Sequence, residues 1–178
     1  MDMQALIPYL LPVSGMGNGV HHYTFRVDDS FFAAFADSPV KRGQLTARLE
    51  FDKQPAMYVM EFAFEGHVEV ECNRCLDPFS LPVADEQRLL VKFGEPNEED
   101  PDVIYIPYGT TQLSVAQYLY EFILLSIPLA PTHEDANEAC NPEMVKYLTS
   151  PPEAEAAPES PDAETPSPWA ALKQFKSS

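Results

Sequence analysis

Two cysteines stand two positions apart in the stretch CNRC, at Cys72 and Cys75. Three features use this spacing: a thiol oxidoreductase motif, half of a zinc site, and a tight turn whose thiols pack as small apolar groups. A redox motif requires a helix that begins at the first cysteine, because the helix dipole lowers the thiol pKa. Pro78 and Pro82 follow closely, so no helix is expected there, and redox catalysis is disfavoured.

A zinc site needs four ligands in a closed tetrahedron, and CNRC supplies only two. The segment THEDANEACNPE offers two more, His133 and Cys140, which are seven residues apart. That spacing is unusual for a metal-binding pair, and acidic residues lie between its members. Spacing alone therefore favours the tight turn and no cofactor. The alternative is a Cys3His zinc site formed by Cys72, Cys75, His133 and Cys140.

Catalytic machinery is not visible in the sequence. The phosphate-binding, dinucleotide-binding, nucleophile-elbow and zinc-protease motifs are absent. No nucleophile can be matched with a base and an orienting group. We therefore expect a protein without enzymatic activity.

The strands that would position these side chains are indicated by apolar residues at every second position. Gly66, inside the stretch 56–72, predicts a bend or a bulge. A short helix capped by Asp29 or Ser30 is expected after the stretch that begins at residue 21. The alternation occurs in the stretches 21–30, 43–53, 56–72, 87–94 and 102–108.

A change of period predicts one long helix over 113–131. Apolar residues such as Val115, Leu119 and Ile123 recur at intervals of three and four; Ser114 would cap the helix, which would end before the next proline. Strands followed by a helix indicate an α+β fold, in which one long helix packs on an antiparallel β-sheet. A disordered acidic Pro-rich tail would follow.

The C-terminal part differs in composition from the rest of the chain. Residues 1–148 are predicted to form the folded domain, and 149–166 a disordered linker rich in Pro, Glu and Ala. In 167–178, Trp169 and Leu172 are spaced by three residues, which predicts a short amphipathic motif that docks on this domain or on a partner. The alternative is a frayed tail.

Charge is unevenly distributed along the chain. The net charge is −17, with 13 acidic and 8 basic side chains in residues 1–94 but 15 acidic and 3 basic in residues 95–178. Nucleic-acid binding requires a basic surface, which such acidity disfavours, although a modest basic face on the first half is compatible with these numbers.

The expected location is the cytoplasm. No apolar run approaches the roughly 20 residues of a membrane helix. The first apolar stretch has no basic residues ahead of it, unlike a signal peptide. An odd number of cysteines also favours reduced thiols.

Several segments, in order along the chain, resemble the YceD family of large ribosomal RNA subunit accumulation proteins. ECNRCLDPF resembles its C-x-R-C-L motif, YLYEFILLSIPLAPTH its glutamate–leucine–proline stretch, and PWAALKQF its C-terminal tryptophan motif. Cysteine-rich members carry further cysteines after the proline stretch, where this chain has only His133 and Cys140. From these motifs we carry over as partner-binding candidates Arg74, Leu76, Glu121, Trp169 and Leu172.

The resemblance implies a non-enzymatic bacterial factor for the accumulation of large-subunit (23S) ribosomal RNA and for ribosome biogenesis. It would bind either ribosomal RNA, through a basic sheet face, or a basic ribosomal or assembly protein, and the acidity of the second half favours the protein. Other interpretations are a regulatory partner of a lipid-synthesis acyltransferase, suggested by the family's gene neighbourhood, and a zinc-knuckle RNA-binding module. The basic face would comprise Arg26, Lys41, Arg42, Arg48, Arg74, Arg88 and Lys92.

Of the residues between the two cysteines, Arg74 is the better candidate for contact with a partner. Its guanidinium can donate two hydrogen bonds to a phosphate or a carboxylate, and a tight turn would present it outward. A local ion pair with Glu71 or Asp77 is an equal alternative.

Overall fold

The structure, a computed structural model, describes residues 4–95 and 103–149. Within these residues, short helices accompany a predominantly β architecture. The strands are β1 (Leu10–Leu11), β2 (Gly19–Val27), β3 (Gly43–Lys53), β4 (Met57–Glu71), β5 (Pro78–Phe93), β6 (Val103–Ile106) and β7 (Leu113–Ser114). The helices are α1 (Asp29–Ala33), α2 (Ala116–Leu125) and α3 (Pro142–Thr149), with 3-10 helices at Ile7–Tyr9 and His133–Ala136.

Five strands form the main sheet in the order β2-β3-β4-β5-β6. Neighbouring strands are antiparallel except β5 and β6, which are parallel. The two short strands β1 and β7 form a separate antiparallel pair. The predicted antiparallel sheet with one long helix is therefore wrong: the sheet is mixed, and no single long helix packs on it in the described part of the chain.

The predicted long helix extends too far at both ends. Leu113 and Ser114 pair with β1, and the Val115 amide donates to the Tyr9 carbonyl, so the helix begins only at Ala116. At the other end it stops at Leu125, and the Ser126 hydroxyl donates to a carbonyl of the last turn. The helical spacing of apolar residues extends into residues that pair with β1 in the folded chain, and this tertiary pairing overrides the local helix preference.

The hydrophobic core lies between one face of the main sheet and a layer that contains α1, α2 and the β1–β7 pair. The rings of Phe62 on β4 and Phe122 on α2 meet at 5.4 Å, and Tyr9 stacks on Phe25 of β2 at 5.2 Å. The same alternation that predicted the strands places every second side chain in this core. The opposite face of the main sheet is exposed and polar.

Gly66 lies in a continuous strand and not at a bulge. It is paired with Leu45 on one side and with Val83 on the other, in a register that is uninterrupted along both ladders. A Cβ atom there would lie 2.2 Å from the carbonyl oxygen of Gln44. The glycine is required by the close approach of the β3 backbone.

Strand β5 begins nine residues before the predicted start at 87. Phe79, Leu81 and Val83 alternate into the core, while Pro82 is exposed. Prolines are tolerated here because β6 pairs only with Leu90–Phe93, so the first part of β5 has a strand neighbour on one side only within the described residues.

The predicted linker 149–166, beyond Thr149, and the tail motif 167–178 lie outside the described residues. The partner-binding candidates Trp169 and Leu172 lie there too. Between residues 4 and 95 and between 103 and 149, no helix combines the length and apolar character needed to cross a membrane.

Candidate metal centre

The CNRC stretch forms the turn between β4 and β5. The amide of Cys72 donates to the Asp77 carbonyl at 3.0 Å, and the Leu76 amide donates back to the Cys72 carbonyl at 2.9 Å. The Arg74 amide points at the Cys72 sulfur at 3.4 Å. Closing this turn requires Leu76 to adopt a left-handed backbone conformation with φ of 64°. Both cysteine side chains consequently face the protein interior.

The segment after α2 reverses direction to bring His133 and Cys140 to the same place. Thr132 and Asp135 form a reciprocal capping box that starts the 3-10 helix at His133. Asn137 ends it in a left-handed conformation with φ of 56°. This helix and turn account for the unusual seven-residue spacing, because they return the chain toward its starting point.

The four candidate ligand atoms converge on one point. The ligand atoms of Cys72, Cys75, His133 and Cys140 all lie within 4.8 Å of one another. The sulfurs of Cys72 and Cys140 are 3.7 Å apart, and Nδ1 of His133 is 3.4 Å from the Cys75 sulfur. With zinc–sulfur bonds of about 2.3 Å, tetrahedral geometry requires sulfurs about 3.8 Å apart.

The donor set fits a structural zinc ion. Three sulfurs and one imidazole nitrogen are a Cys3His set, which zinc binds in closed structural sites. The side chains of Cys72, Cys75 and His133 are buried and Cys140 is half-buried. The sulfur separation of 3.7 Å is far longer than the roughly 2.05 Å of a disulfide. This group could therefore hold a metal ion, as the alternative to a purely structural turn.

The surroundings of the thiols favour a thiolate at Cys72. Burial raises the pKa of its thiol, but the backbone amides of Cys75 and Arg74 and contacts with His133 outweigh burial and lower that pKa to about 5. At Cys140, burial and the neighbouring Cys72 raise the pKa. A negative charge is thus already favoured at one corner of the cluster, as a cationic metal requires.

Three further contacts join the β4–β5 turn and the start of β5 to the segment that follows α2. The Asn73 amide donates to the Pro131 carbonyl at 2.7 Å. The Asn141 side-chain amide donates to Asp77 at 2.9 Å. The ring of His133 packs against Phe79 with centroids 4.6 Å apart. These contacts hold both halves of the ligand set in position.

The chain matches a known protein family, which the geometry of the cluster alone does not identify. A family model described as the large ribosomal RNA subunit accumulation protein YceD matches residues 60–176, which include all four candidate ligands. The chain belongs to the YceD family. A link to large-subunit ribosomal RNA follows from that description. No curated protein and no solved structure matches the chain.

The other residues carried over from the YceD motifs are dispersed. Arg74 forms an ion pair with Glu134 of the post-helix segment, instead of with Glu71 or Asp77. That contact and the charge of Glu134 raise the pKa of Arg74. Leu76 is 65% exposed and follows Cys75 of the candidate metal centre directly. Glu121 is exposed on the polar side of α2 and accepts a hydrogen bond from Gln117.

Several of the basic residues proposed to touch RNA are paired with glutamates. On the exposed face, Arg48 donates to Glu65 at 2.7 Å, and Arg88 lies 3.7 Å from Glu61. Arg42 lies 3.7 Å from Glu69 in the same way. Cross-strand register determines these pairs, which sequence alternation alone did not reveal.

The sequence contained a signal for the candidate metal centre that the spacing of the cysteines and histidine alone did not reveal. A threonine followed three residues later by an aspartate, Thr132 and Asp135, is a helix-start pattern, and Asn137 is a residue type that tolerates left-handed backbone. Read together, they predict a short helix with a reversal between His133 and Cys140. Such a reversal makes the seven-residue spacing suitable for metal binding.

Proposed function

We propose that this YceD protein is a non-enzymatic factor that supports the accumulation of large-subunit ribosomal RNA by binding a basic ribosomal or assembly protein. Cys72, Cys75, His133 and Cys140 would hold a structural zinc ion. The family description supports the connection with ribosomal RNA. We place the action in the cytoplasm, because free thiols suit a reducing compartment.

The composition of the cluster supports a structural metal. Four protein ligands complete the tetrahedron, whereas catalytic zinc keeps one position for water or substrate. When bound, zinc would supply a cross-link between the β4–β5 turn and the segment after α2. The Asn73–Pro131 hydrogen bond already joins the same two segments. The metal would therefore strengthen a connection that the protein backbone also makes.

The pairing of the exposed arginines is the observation that carries the choice of a protein partner. On the exposed sheet face His22, Glu50, Glu61 and Arg88 lie opposite one another across four strands, which puts two carboxylates in the middle of the row. A phosphate group approaching Arg88 would meet Glu61. Nucleic-acid binding gains affinity by neutralising phosphates with free cations, so this face is a poor one for RNA.

A genetic experiment tests the role in ribosome biogenesis. We expect deletion of the gene to lower the ratio of large-subunit to small-subunit ribosomal RNA, measured by quantitative electrophoresis. The wild-type gene should restore the ratio, and a Cys72→Ser, Cys140→Ser double variant should restore it poorly. An unchanged ratio in the deletion strain would contradict the proposed role.

A binding experiment tests the choice of partner. Immobilised full-length protein is offered acid-extracted large-subunit proteins or protein-free large-subunit ribosomal RNA, each over a range of salt concentrations. We expect retention of a basic protein. Retention of RNA alone, weakening steeply with salt, would favour the zinc-knuckle RNA-binding module. Recovery of an acyltransferase from cells, with no ribosomal protein, would favour the lipid-synthesis alternative.

A further inference from the structure

We propose that a groove at the C-terminal end of α2 binds an apolar, positively charged protein segment. This proposal rests on the proposed function, since it supplies the contact surface for the basic protein partner. The groove has a volume of about 490 Å³ and lies between the ends of β4 and α2. Its apolar lining includes Val70, Leu124, Ile127, Pro128, Leu129 and Pro131.

The groove exposes more apolar surface than folding requires. Leu129, which lines the groove, is fully exposed at 106%, and Leu125, which does not line it, is 77% exposed at the end of α2. An exposed leucine on the wall of an apolar groove extends its apolar surface, and continuous apolar surface of this kind marks interaction sites. Covering one leucine would tighten binding by about tenfold or more. A partner that buries Leu129 would therefore gain appreciable affinity.

The loop that carries Leu129 is anchored at both ends by hydrogen bonds. Its start is tied to α2 by the hydrogen bond from the Ser126 hydroxyl to the Ile123 carbonyl, and its end by the bond from the Asn73 amide to the Pro131 carbonyl. Pro128 and Pro131 restrict the backbone between these anchors. A preformed surface lowers the ordering cost of association. The groove is thus prepared for binding in the free protein.

Charge identifies the class of segment that fits. Residues 121–138, which provide most of the apolar lining, carry four carboxylates and no lysine or arginine. Glu134 is paired with Arg74, so the segment keeps three further carboxylates beside its apolar lining. Glu69 and Glu71 line the opposite wall, where Lys41 is the basic member. Arg42 is already paired with Glu69. An apolar segment flanked by lysine or arginine complements this surface, whereas a nucleic-acid phosphate would be repelled.

A matched pair of variants tests the groove in the full-length protein. The probe is the acid-extracted mixture of large-subunit proteins, and bound proteins are quantified by mass spectrometry. Leu129→Asp removes the exposed apolar side chain without touching the core. Ile7→Asp makes the same change at a residue that is 60% exposed and does not line the groove. Circular dichroism checks that both variants fold.

We expect Leu129→Asp to reduce retention of the bound protein at least tenfold, and Ile7→Asp to leave it unchanged. A Glu71→Lys variant should also reduce retention, because it reverses the charge on one wall. Equal retention by wild type and Leu129→Asp would overturn the groove while the proposed function survives. If the wild type retains no large-subunit protein, but retains protein-free ribosomal RNA when that is offered separately, both proposals are overturned.

Two other occupants are distinguished in the same protein preparations. If Leu129→Asp converts a dimer to a monomer in light scattering, the groove binds a second copy and the proposal fails. If it changes the fluorescence of Trp169, the only tryptophan in the chain, the occupant is the chain's own C-terminal segment, and the proposal fails likewise. No change in either measurement, together with the tenfold loss of retention, supports the partner segment.

Discussion

The sulfur atoms of Cys72 and Cys140 lie 3.7 Å apart although 68 positions separate them in the sequence. The loop between them contains β5, β6, β7 and α2. A cross-link that closes so long a loop restricts the unfolded chain more than a short one does. With a metal bound, the cluster would join the turn between β4 and β5 to the segment that follows α2.

Metal content should depend on each member of the cluster. We expect about one zinc per chain in purified wild-type protein and much less in Cys140→Ser and His133→Ala, measured by inductively coupled plasma mass spectrometry. The melting temperature should fall by about 10 °C or more on chelation, because bound metal stabilises the folded state. His22→Ala, at an exposed histidine paired with Glu50, is the control and should retain the metal. Zinc-free wild-type protein would contradict the assignment.

The sequence predicted those parts of the fold that one local pattern determines. The alternation in 43–53 corresponds to β3, and that in 56–72 to β4, because one face of each strand is buried and the other exposed. The helix predicted over 113–131 was too long, and only Ala116–Leu125 is helical. At its start, Leu113 pairs with Leu11, a long-range contact that local periodicity does not reveal. The same limit applies to the candidate site, whose two halves come together only in the folded chain.

Replacing Gly66 by alanine should destabilise the protein by about 3 kcal/mol. The added Cβ would lie 2.2 Å from the Gln44 carbonyl and 2.6 Å from the Leu45 Cα, and both are backbone atoms that cannot move without breaking the ladder. Urea unfolding at equilibrium measures the change. Gly17→Ala is the matched control, since no heavy atom lies within 4 Å of its added Cβ. Equal midpoints for both variants would refute the steric argument.

Stability should decline in the alkaline range because of Tyr9. Burial, together with the negative charge of Asp28, raises the pKa of this phenol to about 12, against about 10 in the unfolded chain. Its contribution is therefore full below pH 10 and is lost as the pH rises from 10 to 12. Tyr9→Phe should remove this part of the decline. It should also cost about 1 kcal/mol at pH 7, because the hydroxyl donates to the Arg26 carbonyl.

Urea midpoints at pH 8 and pH 11 check the Tyr9 prediction. Tyr108→Phe is the control, since that tyrosine is 79% exposed. We expect the wild type and Tyr108→Phe to lose stability between the two pH values by similar amounts, and Tyr9→Phe to lose less. Parallel losses in all three proteins would show that another group governs the alkaline range.

Leu76→Gly should stabilise the protein and weaken partner binding at the same time. Leu76 has φ of 64°, a conformation that costs a leucine roughly 1 to 2 kcal/mol and a glycine almost nothing. Part of that gain is offset by the greater freedom of glycine in the unfolded chain, so about 0.5 to 1 kcal/mol remains. Asn137→Gly should gain less, because asparagine tolerates the same conformation at φ of 56°.

The strain at Leu76 has a functional explanation if the side chain contacts a partner. The leucine is 65% exposed and so contributes little to the core, yet it occupies a position where glycine would be more stable. Urea unfolding measures the stability, and retention of large-subunit proteins measures the binding. Higher stability with reduced retention would assign Leu76 to the partner interface. Higher stability with unchanged retention would remove Leu76 from that interface and leave its strain a property of the turn.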